Sequence, residues 1–303
     1  MGGICIITGN ILYYAGFGGM FFMFVVKVIS RYAAGVLLAA ATLLLCSCGL
    51  TDRVFEPELF ETEIRSAQRP EDLDGFRIAL VTDLHVDSSR HPEYLPRIVE
   101  RMNGLEPDLV AIAGDFADGK VAELAPQLEA LRNLKARYGV FGVPGNHEYY
   151  SGYLEYMAYL PALGVTMLEN SHKMIRPDFA VAGITDPAAK RRHLPEPDLS
   201  RALQGIPKRA FVLLLAHQPQ HCLAASKRGV ALQLSGHTHG GLVWGIGPLI
   251  VRGNGDFVAG LYQVGSTALY VSRGTAFRSR SRWGNIWRFC VPPEITLLIL
   301  RRP

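Results

Sequence analysis

Residues 76–85 read FRIALVTDLH, an apolar, β-branched run that leads directly into Asp83 and His85. Four further apolar runs of similar length end in or are followed by Asp, Asn, His or Gly, at residues 108–113, 140–143, 211–216 and 230–234. Continuous apolar runs alternating with helix-period segments indicate strands that are buried on both faces. The helix-period segments are at residues 94–105 and 121–138, and further strands are expected at 179–184, 261–264, 268–272 and 294–300. The pattern predicts an α/β protein.

The hydrophobic residues are distributed unevenly along the chain. Of the first 50 residues, 35 are of the types AVILMFWYC and none is acidic, whereas the whole chain is 49% hydrophobic. Residues 1–50 are therefore predicted to be a signal peptide or membrane anchor. Residues 51–75 are expected to be a tether with an edge strand within 54–64, and residues 76–303 one α/β domain.

The leader contains two apolar runs, at residues 4–26 and 32–46. The second ends in Leu-Cys-Ser-Cys-Gly, which resembles the lipobox of bacterial lipoproteins and would make Cys48 the lipidated residue. An uncleaved anchor and a soluble segment are the alternatives, and a start at Met20 or Met23 would shorten the leader.

Lys27 and Arg31 are the basic residues nearest to both runs. Because basic flanks stay in the cytoplasm, the protein is expected to be membrane-associated, with its large domain in the periplasm or at the cell surface.

Charge and cysteine content exclude several classes. The chain has 31 basic and 27 acidic residues, a formal net charge of +4, so no nucleic-acid partner is expected from bulk charge. Outside the leader, Cys222 and Cys290 match no zinc or redox spacing and are expected to be core residues rather than a disulfide.

Eight polar side chains follow the predicted strands and are expected to converge, because the carboxyl ends of parallel strands share one edge of a sheet. They are Asp83, His85, Asp115, Asn146, His147, His217, His237 and His239. In extended backbone, residues two apart point to the same side, so Asp83 with His85, and His237 with His239, are each expected to chelate one ion. Oxygen and nitrogen donors without a thiolate favour Mn, Fe, Co or Zn, and the set is large enough for two ions that share a carboxylate.

The ordered motifs Asp-x-His, Gly-Asp-x-x-Asp, Gly-Asn-His-Glu, His and Gly-His-x-His span residues 76–301 and resemble the calcineurin-like metallophosphoesterase superfamily. Within it, the chain looks like a bacterial membrane-attached, phosphodiesterase-like branch, although Leu242 stands where that branch often has Gln. The resemblance implies a four-layer α/β-β/α sandwich of two mixed sheets flanked by helices. It also implies two divalent or trivalent metal ions, with Mn, Fe and Zn as the candidates.

The resemblance further implies a role for each motif residue. One metal ion would be held by Asp83, His85, Asp115 and His239, and the other by Asp115, Asn146, His217 and His237, so that Asp115 bridges them. His147 would be catalytic, stabilising the transition state or protonating the leaving group.

The expected activity is dinuclear-metal-dependent hydrolysis of phosphodiester or phosphoanhydride bonds in a phosphate-ester substrate at the membrane or envelope, with lipid-linked phosphates among the candidates. One alternative is a UDP-2,3-diacylglucosamine hydrolase of lipid A biosynthesis, which conflicts with the expected topology because UDP-sugars are cytoplasmic. The other is a non-catalytic binding scaffold of the same fold, although such proteins usually lack several ligands.

Four further residues are candidates for contacts with the substrate or with a ligand. Asp118 is expected to orient a ligand or cap a loop, Tyr150 to line the cleft or pack, and Glu148 and Arg273 have less defined roles. Residues 277–289 combine arginines with tryptophans and no acid. This stretch is expected to be a solvated loop, a phosphate-binding segment or a membrane-interface patch.

Overall fold

The computed structural model describes residues 5–8, 11–14, 56–66, 71–242, 255–281, 284–288 and 291–302. The chain divides into two compact units, Met1–Thr51 and Asp52–Pro303. In the first unit, strands β1 (Cys5–Thr8) and β2 (Ile11–Tyr14) pair antiparallel. They occupy part of the predicted apolar run 4–26, and their isoleucine, threonine and tyrosine residues favour strands. Most of the leader, including Cys48, lies outside the described residues.

Among the described residues, the structure has no helix that is both long and apolar enough to cross a membrane.

The second unit contains two mixed sheets of six strands each. The strand order of the first sheet is β3 (Glu58–Arg65), β16 (Glu294–Arg301), β4 (Arg77–Val81), β5 (Leu109–Ala113), β6 (Val140–Val143) and β7 (Val165–Met167). In this sheet β16 is antiparallel to β4, and the other neighbours are parallel.

In the second sheet the two outermost pairs are antiparallel and the three inner pairs are parallel. Its order is β12 (Gly260–Val264), β13 (Thr267–Val271), β11 (Leu232–Ser235), β10 (Phe211–Leu215), β9 (Phe179–Gly183) and β8 (Ser171–Arg176). Two more strands, β14 (Arg278–Ser281) and β15 (Gly284–Trp287), pair with each other antiparallel.

Helices and short 3-10 turns connect these strands. The α-helices are α1 (Tyr94–Gly104), α2 (Val121–Leu128), α3 (Asn146–Ser151), α4 (Tyr153–Ala162), α5 (Leu199–Ala202) and α6 (Cys222–Ala225). The 3-10 turns are Glu71–Leu73, Glu129–Asn133, Pro187–Arg192, Pro219–His221, Ser226–Arg228 and His239–Gly241.

The inner strands are buried on both faces. In β4, Ile78 and Leu80 pack between the two sheets in one cluster with Phe179, while Ala79 and Val81 pack beneath α1, α2 and α4. The outer face of the second sheet packs on α5 and α6. The layers are therefore helix, sheet, sheet and helix, and the prediction of an α/β fold with two mixed sheets is confirmed.

All five apolar runs form strands, but the predicted helix 121–138 is too long. The α-helix ends at Leu128, and a 3-10 turn continues to Asn133. At the end of the 3-10 turn, the side chain of Asn103 donates to the carbonyl of Asn133 and accepts from the N–H of Lys135, both at 2.8 Å. These are backbone groups that a longer helix would pair internally.

The predicted edge strand and core cysteine can also be located. Strand β3 lies at the edge of the first sheet and pairs along its whole length with β16, and Cys222 is a buried free thiol. Cys290 lies outside the described residues.

Replacing Phe179 with alanine is expected to lower the free energy of unfolding by about 3–5 kcal/mol, the range for a buried phenylalanine. Phe179 is fully buried and its ring centroid lies 5.3 Å from that of Phe76 and 5.1 Å from that of Phe211. Urea denaturation measures the loss, and Leu261→Ala, at a side chain 48% exposed, is the matched control. A loss below about 1 kcal/mol, usual for a surface position, would contradict this packing.

Candidate metal centre

Six of the eight strand-end side chains form two ligand groups. The first ligand group consists of Asp83, His85 and His239, and the second of Asp115, His217 and His237. Within each group the three ligand atoms lie within 4.8 Å of one another. Strands β4, β5, β10 and β11 deliver them, so the ends of both sheets meet at one site.

The side chains of Asp83 and His85 in the first ligand group are fully buried, and that of His239 is 12% exposed. Nε2 of His85 lies 3.2 Å from Nε2 of His239, and Oδ1 of Asp83 lies 3.9 and 3.6 Å from these two nitrogens. Two imidazoles and a carboxylate therefore face one point.

The second ligand group adjoins the first through Asp115. Its Oδ2 lies 3.3 Å from Nε2 of His217 and 3.7 Å from Nε2 of His85, a member of the first ligand group. Nε2 of His217 in turn lies 3.3 Å from Nδ1 of His237. The geometry places Asp115 where a carboxylate shared by two ions would stand.

His237 and His239 do not face one ion, contrary to the expectation from their spacing. They belong to different ligand groups, and the backbone is not extended there as the spacing argument assumed: φ is +71° at His237 and +50° at His239. The family resemblance implied that His239 binds one metal ion and His237 the other, and this geometry agrees with that assignment.

Five of the six group members have left-handed backbone, which is rare for residues with a Cβ. Their φ values are +51° for Asp83, +42° for His85, +55° for Asp115, +71° for His237 and +50° for His239. Such conformations cost on the order of 1–3 kcal/mol each and cluster at functional sites. The strain therefore supports a functional role for this site.

Two glycines let the backbone approach the carboxylates. A Cβ on Gly236 would stand 2.3 Å from Oδ2 of Asp83, and one on Gly145 would stand 2.2 Å from Oδ1 of Asp115. Neither position can hold a larger residue without moving a group member.

Asn146 follows Gly145, and its Oδ1 is buried without a hydrogen-bond partner in the part of the chain that the structure describes. An unpaired buried acceptor costs on the order of 1–3 kcal/mol. A cation would satisfy this oxygen, so the amide together with the two ligand groups fits a dinuclear metal centre.

Asp118 lies behind two of the imidazoles. Its Oδ1 is 2.8 Å from Nδ1 of His85 and 2.6 Å from Nδ1 of His147, and its side chain is only 2% exposed. Burial alone would raise the pKa of Asp118, but the two imidazoles outweigh burial and hold it well below its usual value. Asp118 therefore orients His85 and His147.

His147 is partly exposed, with 18% of its side chain open to solvent. Its Nε2 lies 3.9 Å from Oδ2 of Asp115. Burial disfavours the charged ring, but the carboxylates of Asp115 and Asp118 outweigh it and raise the pKa of His147 to about 9. These two carboxylates therefore favour the protonated form of the His147 ring.

Glu148 shapes the loops rather than lining the cleft. Its buried carboxylate accepts backbone N–H groups from Asp115, Phe116, Ala117 and Gly145 at 2.8–3.4 Å. Burial and the charge of Asp115 raise the pKa of Glu148 to about 8.

Tyr150 is 53% exposed, and its ring centroid lies 5.5 Å from that of His147, so it lies at the surface beside that ring. Arg273 does not join either ligand group. Its guanidinium lies over the Phe60 ring at 4.4 Å, and its Nε is 3.6 Å from Oε2 of Glu294.

Two arginines of residues 277–289 are buried, so the expectation of a solvated loop is wrong for them. Arg278 pairs with Asp87 at 3.0 Å, and Arg288 places Nη2 3.0 Å from Nδ1 of His239. The many arginines and the absence of acidic residues made a functional role one of the expectations for this stretch. Only the fold identifies Arg288 as the arginine that contacts a member of a ligand group.

Replacing Asp118 with alanine is expected to weaken metal binding by about 10–100-fold, the usual effect of removing a carboxylate that orients a ligating histidine. Titration of the metal-free protein with Mn²⁺ measures the change, and Asp198→Asn, in a helix-capping carboxylate, is the control. Unchanged affinity would show that Asp118 does not orient His85.

Comparisons with known proteins agree with the geometry. A family model described as calcineurin-like phosphoesterase matches residues 76–241. A transmembrane protein with metallophosphoesterase domain from Danio rerio is 34% identical over 279 residues, 88% of this chain and 62% of that protein. An uncharacterized metallophosphoesterase of Helicobacter pylori is 34% identical over 254 residues, 83% of this chain and 66% of that protein. The chain thus spans less than two thirds of both relatives.

Two other matches cover most of the length of the matched protein. An uncharacterized metallophosphoesterase of Bacillus subtilis is 32% identical over 263 residues, 82% of this chain and 88% of that protein. Among solved structures, a dimetal phosphatase from Danio rerio has a TM-score of 0.44 and 12% identity, covering 67% of this chain and 88% of its own.

Proposed function

Because the chain belongs to the calcineurin-like phosphoesterase family of metal-dependent phosphoester hydrolases, we propose that its two ligand groups hold a dinuclear centre that hydrolyses phosphodiester or phosphoanhydride bonds. The observation that carries the proposal is the position of Asp115, whose Oδ2 lies 3.3 Å from His217 and 3.7 Å from His85. A single carboxylate thus reaches both groups.

In this proposal one ion is held by Asp83, His85, Asp115 and His239, and the other by Asp115, Asn146, His217 and His237. When bound, such a pair supplies Lewis acidity that neutralises charge on the phosphoryl oxygens and activates water for attack. Mixed oxygen and nitrogen donors favour Mn, Fe or Zn.

His147 serves the leaving group. Its Nδ1 is held by Asp118, so Nε2 is the atom that remains to donate a proton to the departing oxygen. The positive ring also stabilises negative charge that develops on the phosphoryl group. Tyr150, beside His147, lines the cleft on the leaving-group side.

A metal-reconstituted activity screen tests the function. The purified protein loaded with Mn²⁺ is assayed against bis(p-nitrophenyl) phosphate, nucleotide-sugars and glycerophosphodiesters. We expect metal-dependent hydrolysis of a diester or anhydride that is lost in Asp83→Ala and in His237→Ala. Hydrolysis that persists unchanged in both variants would rule out the two ligand groups as the reaction site.

We also propose that residues 1–50 attach the protein to a membrane, with the catalytic domain in the periplasm or at the cell surface and a substrate that is reachable there. The acid-free leader, with its basic residues Lys27 and Arg31, supports this topology, and the Danio rerio relative is named a transmembrane protein. Protease added to intact spheroplasts, outside the cytoplasmic membrane, should digest the domain. If the domain is protected in intact spheroplasts, it lies in the cytoplasm instead.

A further inference from the structure

Arg288 is a buried cation that the proposed reaction does not use. It follows strand β15, is 5% exposed, and places Nη2 3.0 Å from Nδ1 of His239. Its Nε and Nη1 are buried without a hydrogen-bond partner in the described part of the chain. A full charge with unpaired donors therefore stands directly behind one member of the first ligand group.

The charge on Arg288 persists at neutral pH. The guanidinium of arginine is not deprotonated in proteins at neutral pH. It therefore stays a cation beside His239.

The contact fixes the tautomer of His239. A guanidinium has only donors, so Nδ1 of His239 must accept, and the proton of the neutral ring is on Nε2. Nε2 is the atom that faces Asp83 and His85 in the first ligand group. A nitrogen that carries the proton has no lone pair for a metal ion.

The other two histidines that present Nε2 have the opposite arrangement. Nδ1 of His217 donates to the carbonyl of Ala113 at 2.7 Å, and Nδ1 of His85 lies 2.8 Å from the carboxylate of Asp118. An acceptor behind the ring places the proton on Nδ1 and leaves Nε2 free, which is the usual arrangement for a metal-ligating histidine. His239 alone among these three has a cation in that place.

We propose that Arg288 holds His239 in the tautomer that does not bind metal, and so makes the first ligand group the weaker and more readily exchanged of the two metal sites. Metal binding there must move the ring proton to Nδ1, separate Arg288 from its partner, and bring a second positive charge to the same imidazole. The second ligand group has no such opposing contact at His217. The inference rests on the proposed dinuclear centre. Because the weaker site loses its ion first, activity would depend on the free metal concentration through the first ligand group.

Titration of the chelator-treated protein with Mn²⁺, followed by calorimetry, tests the inference. Wild type should bind two ions in two separate steps, of which Asp83→Ala removes the weaker and His217→Ala the tighter. In Arg288→Met the weaker step should tighten by about 10-fold or more, the scale on which neighbours of ligands alter metal affinity, while the tighter step stays unchanged. Arg288→Lys, which keeps the charge, should leave the weaker step close to that of wild type.

The matched control is Arg278→Met, which removes another buried arginine, one that pairs with Asp87 rather than with a group member. If the weaker step is unchanged or weakened in Arg288→Met, the inference is wrong and the dinuclear centre stands. If wild type binds no pair of ions, the proposed function and the inference fail together.

A measurement on the unaltered chain keeps the test independent of folding in the variants. Long-range ¹⁵N–¹H NMR spectra of the metal-free protein report which ring nitrogen carries the proton, with assignments from single histidine replacements. We expect the Nε2–H form for His239 and the Nδ1–H form for His85, whose Nδ1 faces Asp118. An Nδ1–H form for His239 would overturn the inference.

Discussion

Replacing Asp115 with asparagine is expected to lower kcat by about 10³-fold or more and to reduce the number of bound metal ions. Asp115 is 1% exposed, and its Oδ2 is the oxygen that lies near imidazoles of both ligand groups. Two-metal centres supply several kcal/mol of charge stabilisation to the transition state. Because each 1.36 kcal/mol corresponds to tenfold in rate, a loss of about 4 kcal/mol gives this factor.

The matched control for this variant is Asp108→Asn. Asp108 directly precedes strand β5, whereas Asp115 follows the other end of the strand. The carboxylate of Asp108 accepts the backbone N–H of Arg77 at 2.9 Å. We expect Asp108→Asn to keep both metal ions and the wild-type rate. If Asp115→Asn retains two ions and more than about a tenth of wild-type kcat, an effect of under about 1.4 kcal/mol, Asp115 is not the shared ligand.

Replacing His147 with glutamine is expected to lower kcat by about 10²–10⁴-fold, the usual contribution of general acid catalysis, without changing the metal content. The effect should depend on the leaving group. An alcohol needs protonation as it departs, whereas p-nitrophenolate does not, so the loss should be largest for alkyl esters and small for p-nitrophenyl esters. Rates for a series of diesters with leaving groups of graded pKa measure this dependence.

His172→Gln is the control for that series, because His172 bonds the carbonyl of Ala202 at 2.9 Å and belongs to neither ligand group. An equal loss of rate for every ester in His147→Gln would assign the residue to charge stabilisation rather than to proton donation. Loss of metal from the variant would make it a ligand instead.

Local sequence was sufficient for the strands and for the convergence of the polar residues. Buried strands such as β5 and β10 are continuous apolar runs, and the residues that follow them are brought to one edge by parallel pairing. The apolar runs are visible in neighbouring residues of the chain, and the convergence follows from a general rule for parallel strands, so both could be predicted without the fold.

The detailed geometry of the site was not predictable from local pattern. The spacing of His237 and His239 indicated one shared ion, but the two residues lie in different ligand groups and neither has extended backbone. Arg288 reaches His239 across 49 residues of chain, and Glu148 bonds backbone N–H groups of residues 115–117 more than 30 residues earlier. Such contacts depend on tertiary packing, which no short window of sequence contains.

A crystal structure of the Mn²⁺-loaded protein, with anomalous scattering data, is the most direct test of the dinuclear centre. Two anomalous peaks are expected, one at Asp83, His85 and His239 and one at Asn146, His217 and His237, with Asp115 contacting both. A single peak, or peaks away from these two ligand groups, would contradict the proposed centre.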